Sequence, residues 1–211
     1  MTNFYYTVKK AIENEIVIQK SKFISHVHHV SNEDEAQRLI QAKLKAHYKS
    51  NHNCYAYVLG DNNQVQKASD DGEPSGTAGV PILEVLKKQD LKDTLVVVTR
   101  YFGGIKLGAG GLIRAYSTAT SEGIKAAGII ERLPIRVYGV IIDYTLWGTL
   151  ENALRQSPYL LINTAYTDRV TLEIGVTLPE DLQFEKWLTE LCNGKVQVEL
   201  LREEFIEQDK Y

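Results

Sequence analysis

Residues 100–116, Arg100-Tyr-Phe-Gly-Gly-Ile-Lys-Leu-Gly-Ala-Gly-Gly-Leu-Ile-Arg-Ala-Tyr116, decide how this chain reads. The apolar run Leu95-Val-Val-Val-Thr99 leads into the stretch as a strand, and a helical spacing of apolar residues from Leu112 to Ala127 leads out of it. Five glycines fall in the nine residues from Gly103 to Gly111. Glycine loses the most freedom on folding, so such density predicts positive φ or the close approach of another group. A helix start supplies unpaired N–H groups and a partial positive charge. Gly104, Gly108, Gly110 and Gly111 around that start, with the charges of Arg100, Lys106 and Arg114, predict a cradle for phosphate or nucleic acid. The competing reading is a tight turn whose glycines only let the helix pack on the sheet.

Two familiar phosphate motifs are excluded. A P-loop needs GxxxxGK[ST], and here Gly108 is followed by Ala109 and Gly110. The dinucleotide fingerprint GxGxxG fails as well, because Gly108-Ala109-Gly110 continues as Gly111, Leu112, Ile113.

The chain of 211 residues, 44% hydrophobic and 24% charged, has the composition of a soluble globular protein of one or two domains. No apolar run approaches the length of a membrane span, the first ten residues do not read as a signal peptide, and Cys54 and Cys192 stand far apart. The expectation is a cytoplasmic protein with reduced thiols and no membrane association. Residues 1–130 hold 16 Lys+Arg against 13 Asp+Glu, whereas residues 131–211 hold 8 against 14. The front part is mildly basic, which permits nucleic-acid contact without the strong charge of a dedicated binder.

Along the chain, residues 15–30 read as extended, with Ser31 as the N-cap of a helix over residues 32–48. A strand over residues 54–59, a turn at Gly60-Asp-Asn-Asn63 and a strand over residues 64–69 follow. Next comes the acidic loop Asp70-Asp-Gly-Glu-Pro-Ser-Gly-Thr77, then a helix over residues 78–89 with Ser75 or Thr77 as its cap. Residues 136–205 alternate as βαββαβ, the ferredoxin-like order, with Pro179 opening the second helix. The expected domains are residues 1–130 and 134–211.

Asp70, Asp71 and Glu73 suit Mg²⁺ bridging a phosphate, or a self-bonded turn, or pairing with Lys106 or Arg114. His26, His28, His29, His47 and His52 show no paired ligand spacing, so they read as polar-face residues, and neither a metal nor a cofactor is expected. His52 and Cys54 share a strand face, yet no third orienting group marks a nucleophile. Tyr55, Tyr57, Tyr101 and Tyr116 fall near the two loops and are candidates for base stacking.

Three segments together resemble the bacterial branch of the IMPACT family: His52-Asn-Cys-Tyr-Ala-Tyr57; Ser69 to Gly79 with Pro81-Ile-Leu83; and Val98 to Tyr116. The resemblance implies an α+β chain. Its N-terminal domain would be like the second domain of ribosomal protein S5, and its C-terminal ferredoxin-like domain similar to one in elongation factor G. It implies a non-catalytic, translation-associated regulator with RNA or the ribosome as partner, and a surface formed by Asp70, Asp71, Glu73, Ser75, Thr77, Arg100, Lys106 and Arg114. The alternatives are a Mg²⁺-dependent enzyme on a nucleotide or phosphorylated substrate, and a module that binds a protein partner.

Overall fold

The computed structural model describes residues 4–60, 62–178 and 180–210. Asp61 of the expected turn and Pro179 ahead of the last helix lie outside the described residues. The chain forms two compact units: Tyr5–Glu131 with Asp209 and Lys210, and Arg132–Gln208 with Phe4.

The front unit is built on a sheet of β2 (Ile12–Ile18), β3 (Ser21–His29), β4 (His52–Leu59), β5 (Val65–Ser69) and β6 (Thr94–Tyr101), in the order β2-β3-β6-β4-β5. Every described pairing in it is antiparallel. β6 is central and buried along nearly its whole length, which is why it reads as a continuous Val-rich run rather than an alternation. Successive side chains point to opposite faces. Val96, Val98 and Arg100 therefore face one layer, and Leu95, Val97, Thr99 and Tyr101 the other.

The first layer is α2 (Gly79–Lys88) and α3 (Gly108–Ala127). α3 buries Leu112, Ala115, Tyr116, Ala119, Gly123 and Ile124, a helical stripe set against Phe23, Val27 and Val98. Gly123 is required by packing: a Cβ there would lie 2.4 Å from Ser25 Oγ. The second layer is α1 (Glu33–Ala46), which covers Tyr57, Leu59, Leu95 and Val97 with Ala36 and Ile40. The cap of α1 is Asn32 rather than Ser31. Its side chain accepts from Glu35 N, and the Glu35 carboxylate accepts from Ser31 N, so the capping box is displaced by one residue.

The second unit is an α+β domain of β7 (Ile129–Ile142), α4 (Tyr144–Leu154), β8 (Leu160–Tyr166), β9 (Val170–Thr177), α5 (Asp181–Leu191) and β10 (Gln197–Asp209). β10 and β9 both pair with β7, and β8 pairs with β9. Counted within the unit, the order is 4-1-3-2, the ferredoxin-like arrangement that βαββαβ produces when its two crossovers lie on one face. β7 begins seven residues earlier than its apolar pattern suggested. Pro134 is tolerated because the ladder to β9 starts only at Ile135. The front unit also carries β1 (Tyr5–Val8), a strand with no signature in the sequence. No helix among the described residues is long and apolar enough to cross a membrane.

Candidate functional site: a cleft between the acidic and glycine-rich loops

The acidic loop and the glycine-rich loop meet. Asn51, His52, Glu73 and Pro74 on one side, and Arg100, Phe102, Lys106, Leu107, Gly108, Ala109 and Leu112 on the other, line a cleft of about 400 Å³.

The acidic side is a self-bonded structure. One Asp70 carboxylate oxygen accepts from Ala78 N at 3.0 Å and Gly79 N at 2.8 Å, and the other accepts from Gly76 N at 2.8 Å. Burial pushes this carboxyl up, and the N–H groups of Gly76, Gly79 and Ala78 outweigh it, so Asp70 sits below the usual carboxylate range. Asp70 thereby satisfies the start of α2, whose N-cap is Ala78 with no side-chain bond of its own. Neither Ser75 nor Thr77 caps α2. Ser75 is exposed, and buried Thr77 donates to Pro74 O at 2.6 Å. Asp71 accepts from Asn53 N at 2.6 Å. Glu73 Oε1 accepts from Arg100 Nη1 at 2.6 Å and from the Tyr116 hydroxyl at 2.8 Å. Asp70, Asp71 and Glu73 thus turn to separate internal donors and do not converge on one point.

Arg100 is the main correction to the expected cation set. It is 5% exposed, paired with Glu73, and lies 5.5 Å from the ring centroids of Phe23 and of Phe102. A guanidinium held in that way clamps the acidic loop to β6 and is not offered to a ligand. The expected pairing of the acidic loop with Lys106 or Arg114 does not form either. Both side chains are exposed and have no ion-pair partner among the described residues.

The glycines divide into two groups. At Gly103 a Cβ would lie 2.0 Å from the Lys20 backbone, and at Gly111 it would lie 3.0 Å from Leu107 Cβ, so packing requires the first and crowds the second. At Gly104, Gly108 and Gly110 a Cβ would meet nothing within 4 Å. Gly104 and Gly108 have positive φ, which accounts for their type, whereas Gly110 does not. α3 starts at Gly108 behind Leu107, with no side-chain cap, so its first N–H groups stand open beside the cleft.

The expected tyrosines are not on this surface. Tyr57 and Tyr116 are fully buried, and Tyr55 and Tyr101 are half-buried. The exposed aromatic of the cleft is Phe102 at 46%. Its N–H donates to Asn51 Oδ1 at 2.8 Å. Phe102 and Asn51 belong to no charge or glycine pattern, so nothing in the sequence marks them.

A Cys-His nucleophile is ruled out by geometry. The Cys54 thiol donates to Asp70 O at 2.9 Å with Tyr116 Oη 3.3 Å from its sulfur, and burial pushes its pKa up to about 12. His52 Nδ1 instead lies 2.8 Å from Asp71 O, which leaves Nε2 on the cleft side, 3.8 Å from Glu73 Oε2.

A two-unit α+β protein with a glycine-rich, cationic helix start above a buried Arg-Glu clamp is a specific architecture, and it has relatives. Residues 19–124 match the Impact N-terminal domain, and residues 140–195 match a domain of unknown function, DUF1949. Over 195 residues the chain is 56% identical to IMPACT family member YvyE of Bacillus subtilis (strain 168), spanning 92% of this chain and 90% of that one. It is 31% identical over 188 residues to IMPACT family member YigZ of Escherichia coli (strain K12), spanning 88% and 92%. A crystal structure described only as that of a hypothetical protein is similar at 28% identity and a TM-score of 0.62, over 96% of this chain and 98% of that one. The chain belongs to the IMPACT family.

Proposed function

We propose that this protein is a non-catalytic regulator associated with translation, which contacts RNA or the ribosome through the glycine-rich start of α3. The observation that carries this reading is the pairing state of the cations. Arg100 is consumed internally, while Lys106 and Arg114 stand exposed beside the open N–H groups of α3. Backbone N–H groups and unpaired cations around a helix start suit phosphate oxygens. Phe102, exposed in the same cleft, offers a face on which a base can stack. Membership in the family, whose fold analogies point to translation factors, supports the assignment by association.

Binding to single-stranded RNA and to purified ribosomes, measured from low to physiological salt, tests the reading. Each charge lost in Lys106→Ala and Arg114→Ala should reduce the slope of log affinity against log salt by about 0.7. No binding at about 50 mM salt, where phosphate contacts are least screened, sinks it.

A second reading is a docking surface for a protein. Leu160, Ile162, Leu201 and Phe205 are each more than 40% exposed in the ferredoxin-like unit. Capture of partners that survives RNase treatment separates it from the first.

A further inference from the structure

The α1 layer of the front sheet carries a polar cluster that the cleft does not use. Glu13 of β2 and His26 of β3 stand directly opposite in the antiparallel register, so both side chains leave the same face. His47, at the C-terminal cap of α1, brings its ring to 4.9 Å from that of His26, centroid to centroid. Glu13, His26 and His47 offer donor atoms that all lie within 4.8 Å of one another.

The hydrogen bonds around His26 assign its proton. The Asn53 amide nitrogen donates to Ser50 Oγ at 2.9 Å, so its oxygen is the end turned to Thr99. The Thr99 hydroxyl donates its single proton to that oxygen at 2.7 Å. Thr99 Oγ1 therefore acts as acceptor toward His26 Nε2, 3.3 Å away. The proton of a neutral His26 is thus on Nε2, and Nδ1 is a bare lone pair. The residue is 0% exposed, and Nδ1 has no hydrogen-bond partner. Facing it at 3.2 Å is Glu13 Oε2, a second acceptor. A cation seated between these two acceptors would satisfy both. On His47, Nδ1 lies 3.0 Å from the Tyr101 hydroxyl, which leaves Nε2 for the cluster. Each imidazole therefore has its remote nitrogen held by a hydroxyl, as metal-ligating histidines have theirs held by outer partners.

We propose that Glu13 Oε2, His26 Nδ1 and His47 Nε2 bind a divalent first-row transition metal ion of the Zn²⁺ type. Two imidazoles and a carboxylate are a zinc donor set that leaves one position open, and they disfavour Mg²⁺ and Ca²⁺, which want oxygen alone. Lys43 Nζ, 4.0 Å from Glu13 Oε2, opposes the ion and weakens its binding. The site lies on the opposite face of β6 from the cleft, because Thr99 and Tyr101 alternate with Arg100.

The full chain, freed of metal by chelator and exchanged into clean buffer, is titrated with Zn²⁺ by calorimetry and with Co²⁺ by its visible absorption. One equivalent should bind saturably. Glu13→Gln and His47→Ala should each lower the affinity by about tenfold or more, and Lys43→Met should raise it. These side chains reach the surface, and circular dichroism verifies that the variants fold. The proposal is overturned by no saturable uptake at roughly 100 µM metal, a millimolar-class affinity being too weak for a resident ion. It is also overturned by unchanged affinity in any of the three variants. Imidazole ¹⁵N spectra of the metal-free protein showing His26 doubly protonated at neutral pH would overturn it too, because an ordinary ion pair with Glu13 then explains the geometry.

Discussion

Glu73 and Arg100 form an ion pair of 2.6 Å in which both side chains are less than a tenth exposed, and the Tyr116 hydroxyl bonds the same carboxylate oxygen. The pair joins the acidic loop to the central strand and forms the floor of the cleft. Removing one partner strands a buried charge. Glu73→Ala should lower the unfolding free energy in urea by about 3–5 kcal/mol. Glu73→Leu combined with Arg100→Met should recover most of that loss, since an apolar pair of similar volume replaces the buried ions without leaving either unpaired. A double variant no more stable than Glu73→Ala would mean that the hydrogen bond to Tyr116 carries the stability.

Asp70 acts on α2 through three backbone N–H groups. Asp70→Ala should cost about 1–2 kcal/mol, as loss of a helix cap does. The pH dependence has a definite sign. The folded-state pKa of Asp70 lies below the unfolded value of 3.8, so its contribution is fully present above that value. It is lost as pH falls below about 4 and through the lower folded-state pKa. The stability difference between wild type and Asp70→Ala, followed by urea titration at successive pH values, should therefore be constant near neutrality and shrink in acid. A difference that grows on acidification would contradict this assignment.

The sequence made the backbone plan legible and the pairing of charges illegible. Val-rich β6, the glycine-rich turn and the stripe on α3 are local patterns, and each formed where its periodicity placed it. The two loops flank β6 and α2, so their meeting follows from the sheet order. What the sequence could not carry was which cation each carboxylate chooses. Arg100 falls on the α3 face of β6 and Lys106 in the open loop, and only the register of β3, β4 and β6 separates a buried guanidinium from a free ammonium. The cap of α2 was hidden for the same reason, since Asp70 reaches it from eight residues upstream while Ser75 and Thr77 stand nearer in sequence. Glu13, His26 and His47 share no motif spacing because β2, β3 and α1 bring them together only after folding.

Cys54 lies deep enough that its thiol serves as a donor rather than as a nucleophile. Burial is the main reason that its pKa rises to about 12. The carboxylates of Glu73, Asp71 and Asp70 add to the rise. Burial raises the Cys192 thiol too. In native protein at about pH 8, near the ordinary thiol pKa, neither cysteine should react with a thiol-specific chromogenic disulfide over minutes, and both should react once urea unfolds the chain. A raised folded-state pKa also makes stability fall as pH climbs above the unfolded thiol value, because the unfolded chain then releases a proton that the folded chain keeps. Rapid labelling of Cys54 in native buffer, located by peptide mapping, would show that the Asp70–Cys54–Tyr116 region opens readily.

Gly110 separates a packing role for the glycine-rich turn from a binding role. It sits in the first turn of α3 without a positive φ, and a Cβ there would meet nothing within 4 Å. Folding alone therefore favours alanine, and Gly110→Ala should stabilise the protein by about 0.5–1 kcal/mol in urea. A phosphate seated over the N–H groups of the first turn would meet the added methyl, so RNA affinity should fall even as stability rises. Gly108→Ala is the contrasting variant. Its φ of +69° strains any side chain, so it should lose stability as well as binding. Opposite signs of stability and affinity in Gly110→Ala are what a ligand-facing glycine requires. Unchanged RNA binding in a stabilised Gly110→Ala protein would remove the turn from the contact surface and leave Lys106 and Arg114 as ordinary solvated charges.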